Sequence, residues 1–87
     1  MYAINAEKVL FTQLGEEGVL FHIEKNEYFS TNDSMTKIVL GVQNKLTPNQ
    51  IVESLLEEYE IDETTCLNSV NNMLKLLEEK GFISNQQ

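Results

Sequence analysis

The chain has 87 residues and a formal net charge of -8, with 14 acidic residues against six basic ones, all of them lysines. That length supports one domain with a small core, and the charge opposes nucleic-acid binding, which needs clustered Lys and Arg. A single cysteine, Cys66, excludes an intrachain disulfide, and no apolar run approaches the roughly 20 residues of a bilayer span. With no secretory pattern at Met1, the expected setting is the cytoplasm.

Met1 to Glu7 carries no clear periodicity. Lys8 to Leu14 mixes apolar and β-branched residues and predicts a first strand. Gly15, Glu16, Glu17 and Gly18 predict a turn. Val19 to Ile23 is a second strand, with Val19, Phe21 and Ile23 on one face and Leu20 and His22 on the other. Glu24 to Glu27 form a polar hairpin connection in which Asn26 suits a left-handed residue. Tyr28 to Thr31 is a short third strand, and no later strand is long enough to cover its outer edge. A free edge is a row of unpaired donors and acceptors able to recruit a peptide.

Three helices follow. Asn32 or Asp33 caps the first, whose apolar stripe is Met35, Ile38, Val39 and Val42. Gly41 within it marks close packing. Thr47, Pro48 and Gln50 start the second helix as cap, first-turn proline and capping-box partner. Ile51, Val52, Leu55, Leu56 and Tyr59 form its buried face, and the break falls at Glu60-Ile61. Asp62 caps the third helix, which runs to about Lys80 and stops at Gly81. Phe82 and Ile83 are expected to fold back on the core, and Ser84 to Gln87 to form a polar tail.

On a helical wheel the apolar side chains of the third helix sweep about half the cylinder, from Leu76 through Met73, Cys66 and Val70 to Leu67. A helix lying on one core needs an arc of roughly 100° or somewhat more. Either the domain wraps this helix on two sides, or the shoulder of Cys66, Ser69, Met73 and Leu76 lines a groove, where Met adapts to varied ligands.

Catalytic chemistry is poorly supplied. His22 is the lone histidine and sits among apolar residues. Cys66 has no adjacent partner and reads as a buried thiol. Glu16-Glu17 and Glu78-Glu79 are sequence neighbours and do not share a face. No phosphate loop or metal-ligand cluster is present, so no catalytic residue, metal or cofactor is expected.

The order GVLFHIEKNEYFSTN, a helix, LTPNQIVESLLEEYEID and SVNNMLKLLEEKGFI resembles the PqqD-like proteins, over about Leu14 to Ser84. The most specific parts are Tyr28-Phe29 with Asn32, Leu55-Leu56 with Tyr59, and Val70 with Gly81-Phe82. The resemblance implies an α+β, winged helix-turn-helix-like fold over residues 1–87, a three-stranded antiparallel sheet followed by three helices. It implies a non-catalytic protein that binds the leader of a ribosomal precursor peptide as an added strand. The partner would be a leader peptidase of the lasso-peptide type, or another modifying enzyme such as a radical-SAM protein. The strand is implied to dock on Glu27, Tyr28, Phe29, Ser30 and Thr31, with Cys66, Ser69, Val70, Met73 and Leu76 opposite. Strand parity favours Phe29 and Thr31 inward and Tyr28 outward. Thr31, Met35 and Ser69 stand where the family often has Leu, Ala and Asp; the last change removes a possible charged contact.

Two competitors belong to other classes. A winged-helix DNA-binding regulator needs a basic recognition helix, whereas the third helix carries Lys75 and Lys80 against Asp62, Glu63, Glu78 and Glu79. A self-associating domain would pair the free edge with its own copy. The expectation is a monomer or weak dimer with no nucleic-acid or membrane partner.

Overall fold

The computed structural model describes residues 1–86. Its central sheet is a meander of β2 (Val9–Leu14), β3 (Glu17–His22) and β4 (Glu27–Thr31), in the order β2-β3-β4. Gly15, at φ 66°, starts a two-residue turn with Glu16, so Leu14 pairs with Glu17. The predicted turn was two residues too long, because Glu17 and Gly18 already belong to β3. Gly18 is needed there as a strand residue: a Cβ would stand 2.7 Å from the Phe11 ring. The β3–β4 connection runs over residues 23–26, with Asn26 left-handed at φ 53°. His22 Nδ1 accepts the Lys25 amide at 3.2 Å and pins this turn.

Pairing sorts the side chains into two faces. Val9, Leu20, His22 and Thr31 face the helices and are buried, with Phe11 and Phe29 half-buried beside them. Leu10, Phe21 and Tyr28, aligned across the three strands, lie on the outer face. Tyr28 is 72% exposed there, and its ring stacks on Phe21 at 4.5 Å.

The helices begin where cap chemistry puts them. Asn32 Oδ1 accepts the Met35 amide and opens α1 (Asp33–Gln43). Thr47 and Gln50 exchange both capping-box bonds ahead of α2 (Pro48–Glu58). Asp62 accepts the Thr65 amide ahead of α3 (Glu63–Glu79). In α1 the apolar stripe is shifted. Met35 is only half-buried, and Thr36 is buried instead because its hydroxyl pairs with that of Thr31 at 2.7 Å. α3 buries Cys66, Val70, Leu74 and Leu77, the middle of its broad arc.

Both chain ends depart from expectation. Tyr2–Ile4 form β1, which pairs antiparallel with β5 (Ile83–Asn85) in a separate two-stranded sheet. Ser84 and Asn85 are thus strand, not tail, and Gln87 lies outside the described residues. Asn5 reinforces the junction, donating through its amide side chain to Gly81 O at 2.7 Å and accepting from Ser84 Oγ at 3.0 Å. No helix among the described residues is long and apolar enough to cross a membrane.

Helices α1 and α2 meet at Gly41, where a Cβ would stand 2.7 Å from buried Ile51 Cγ1. Overpacking there outweighs the helix propensity gained from alanine. Gly41→Ala is expected to lower stability by roughly 1–2 kcal/mol, read as a lower midpoint in urea unfolding with an unchanged slope.

Candidate functional site

The outer edge of β4 is the first component. A two-residue hairpin closes on a hydrogen-bonded pair, here Leu14 and Glu17, and bonded pairs alternate from there. Odd-numbered residues of β3 therefore bond toward β2; the neighbouring Ile23 amide does so, donating to Lys8 O at 2.8 Å. Even-numbered residues bond toward β4, engaging Glu27, Phe29 and Thr31. The amides and carbonyls of Tyr28 and Ser30 are left pointing away from the sheet, and no strand among the described residues pairs with them.

The second component is α3. Ser69 is exposed, and Met73 and Leu76 are half-buried. Val70 is fully buried and Cys66 nearly so, which makes them the floor beneath this wall rather than its surface. On β4, Glu27, Tyr28 and Ser30 are exposed, Phe29 is half-buried and Thr31 is buried. The parity expected for Tyr28, Phe29 and Thr31 is the parity seen.

The Phe29 ring joins the two components at one end. It lies 6.0 Å from the Phe82 ring and 5.6 Å from Lys80 Nζ. Lys25 Nζ donates to Lys80 O at 2.9 Å beside it. Past Thr31, where β4 leads into α1, a hollow of about 440 Å³ lies between the start of α1, the end of α2 and the start of α3. Cys66 and Ser69 line it with Asp33, Ser34, Ile38, Leu55, Tyr59, Glu60 and Ile61. These last seven were not anticipated as site residues. The caps marked each helix end, but nothing in a linear pattern says that three ends converge.

Electrostatics differ along this line. Tyr59 donates its hydroxyl to Asp33 Oδ2 at 3.2 Å. Desolvation, and then that carboxylate, push its phenol above the ordinary value. Lys37 forms an ion pair with Glu58 and lies over the Tyr59 ring at 5.2 Å. Cys66 Sγ faces Val52 O at 3.9 Å, and burial pushes its thiol pKa up. Among the described residues, no three His, Cys, Asp or Glu side chains are grouped to hold a metal ion. The site offers unpaired backbone groups on one side and an adaptable apolar wall on the other.

The family model for coenzyme PQQ synthesis protein D (PqqD) matches residues 17–83. No curated protein matches the chain. Two solved structures are similar. One is TbiB1 in complex with the TbiA(beta) leader peptide, at 22% identity and a TM-score of 0.90, covering 98% of each chain. The other is a lasso peptide synthetase B1 complexed with the leader peptide, at 21% identity and a TM-score of 0.87, covering 97% of this chain and 98% of that one. At these identities the likeness is one of fold, an α+β arrangement of a three-stranded antiparallel sheet and three helices.

The state of Cys66 is directly measurable. Its thiol should resist iodoacetamide in the native protein at mildly alkaline pH and react fully in guanidinium. Because the folded state holds the thiol proton more tightly, the thiol's contribution is fully present below its unfolded value. It is lost as pH rises through the shifted value. Native labelling at the rate of a free thiol would place Cys66 at the surface.

Proposed function

The chain belongs to the PqqD family, and on that premise we propose that it captures the leader of a ribosomally made precursor peptide and delivers it to a modifying enzyme or leader peptidase, in biosynthesis of the lasso-peptide type. The observation that carries this reading is the unpaired outer edge of β4, at Tyr28 and Ser30, together with the half-buried Met73 and Leu76 on α3. The two similar folds are both of proteins holding a leader peptide, one of them a lasso peptide synthetase component, which supports the lasso branch over a radical-SAM partner.

In this reading residues 1–87 act as one recognition domain without catalysis, a winged-helix relative working in the cytoplasm as a monomer or weak dimer. The peptide lies as a fourth strand along Glu27, Tyr28, Phe29, Ser30 and Thr31, with Ser69, Met73 and Leu76 opposite and Cys66 and Val70 beneath. A DNA-binding role is disfavoured by α3, whose first turn and C-terminal half carry Glu63, Glu78 and Glu79.

Magnitudes divide the work between backbone and side chains. Tyr28 and Ser30 can exchange four hydrogen bonds with a paired strand, a net gain of roughly 2–6 kcal/mol. Micromolar binding needs about 8 kcal/mol, and ordering a peptide adds further cost. One or two apolar leader side chains must therefore enter the groove, at about 1.5–3 kcal/mol each.

Two substitutions test the halves separately, read by fluorescence anisotropy with a labelled leader of a lasso-type precursor peptide. Met73→Glu puts a charge in the apolar wall and should weaken binding by at least about tenfold; unchanged affinity would misplace the pocket. Ser30→Pro removes one outward amide while sparing the bonds to β3. It should weaken binding roughly three- to tenfold with little change in thermal stability. A variant that binds normally would show that the peptide does not pair with this edge.

A further inference from the structure

The two ends of the β4–α3 groove differ in charge: one is acidic, and the other is of mixed sign. At the hollow, Asp33 accepts the Tyr59 hydroxyl and the Ser34 amide, both neutral donors. Glu60 stands exposed at the same rim. Among the described residues the ion pairs are Lys8 with Glu24 and Lys37 with Glu58, so neither Asp33 nor Glu60 is neutralised. Lys37, one turn along α1 from Asp33, is held by Glu58 and the Tyr59 ring.

At the far end stand Lys25 and Lys80. The first is bonded to a backbone carbonyl and the second lies over an aromatic ring, and neither is paired with a carboxylate. Glu27 on β4 and the exposed Glu78 and Glu79 in the last turn of α3 offset these two lysines, so this end has no net positive charge. The five residues of β4 separate the two ends by about 13 Å, four strand steps. That exceeds the screening length of roughly 8 Å at physiological salt, so a bound strand meets two distinct potentials.

Resting on the leader-binding reading above, we infer that this groove selects a peptide of a particular charge pattern. Its lysine or arginine residues flank the apolar side chain that enters the hollow, and its opposite end carries no required charge. The hollow favours such a segment on both counts. Ile38, Leu55 and Ile61 supply apolar contact, and the carboxylates at the rim meet the cation that follows. A long basic side chain can also lay its methylenes on that apolar surface while its head reaches the rim. Charge then fixes register along an edge whose backbone bonds alone would tolerate slippage.

The test uses the full chain and short labelled strand peptides that alternate threonine with tyrosine and leucine. A lysine pair is placed at the N-terminal end, at the C-terminal end or, in the reference, replaced by glutamines. Lysines should tighten binding roughly three- to tenfold at one end only, and the gain should fade with added salt. The double variant Asp33→Asn, Glu60→Gln should abolish that gain, so that the lysine and glutamine peptides bind it alike. Glu60→Gln alone, at an exposed side chain, should remove part of it without touching the α1 cap.

Equal gains at both ends would reduce the effect to attraction by the overall charge and overturn the inference, as would a gain that survives in the double variant. In either case, binding of the glutamine peptide leaves the groove itself standing. If no peptide binds and the genuine leader also fails, the groove reading falls with the inference.

Discussion

Much of this structure hangs on one reversal of the backbone at Gly81. The residue sits at φ 83°, and the turn returns two bonds to α3: Gly81 N to Glu78 O and Phe82 N to Leu77 O, both at 3.0 Å. This paired closure is the Schellman arrangement, which only a residue at ease with positive φ completes without strain. Its consequences spread in three directions. Phe82 is driven into the core, 6.1 Å from the His22 ring and 6.0 Å from Phe29. Ile83 is aimed at Ile4, joining the two chain ends in one sheet. Carbonyls of Lys80 and Gly81 accept from Lys25 and Asn5. A side chain here would crowd Lys25 Nζ at 3.1 Å and His22 Nε2 at 3.3 Å. The distance between α3 and β4, and so the shape of the groove, follows from how this corner packs.

The same corner explains what a linear reading captures and what escapes it. Caps and turns are local chemistry, and Asn32, Thr47, Asp62, Asn26 and Gly81 announce themselves through residue type. The meander was legible because strand alternation and connection length act within a few residues. β1 and β5 were not, since three-residue strands are too short to show a period and their partners lie at opposite ends of the chain. Thr36 was passed over because its burial depends on the Thr31 hydroxyl across an element boundary. Gly18 looked like a turn residue until the Phe11 ring came into view above it. For the site, the strand half was read from an uncovered edge, while the hollow formed by three helix ends depends wholly on how the helices cross.

An uncovered strand edge is ordinarily a hazard, because any extended chain can pair with it. Here several features confine that reactivity. β4 is only five residues long, so it presents two outward residues rather than a ladder. The net charge of -8 opposes the approach of a second copy of the chain. The acidic rim at Asp33 and Glu60 would make a bound strand unequal in its two possible alignments. The edge is thus kept available at a site where indiscriminate pairing would be most damaging.

The pleat adds a last consequence, seen from the outer face of the sheet. A strand that pairs with β4 can turn only every second side chain toward α3. The remainder stand in line with Tyr28, Phe21 and Leu10, a row already apolar and largely uncovered. Such pairing would therefore change the opposite side of the protein, lengthening that row by one strand whose chemistry the guest supplies. A second macromolecule resting on this face would touch host and guest together and could distinguish the occupied protein from the empty one, with no movement of the fold required. Half of the guest's sequence would serve its own retention, and the other half would be addressed outward.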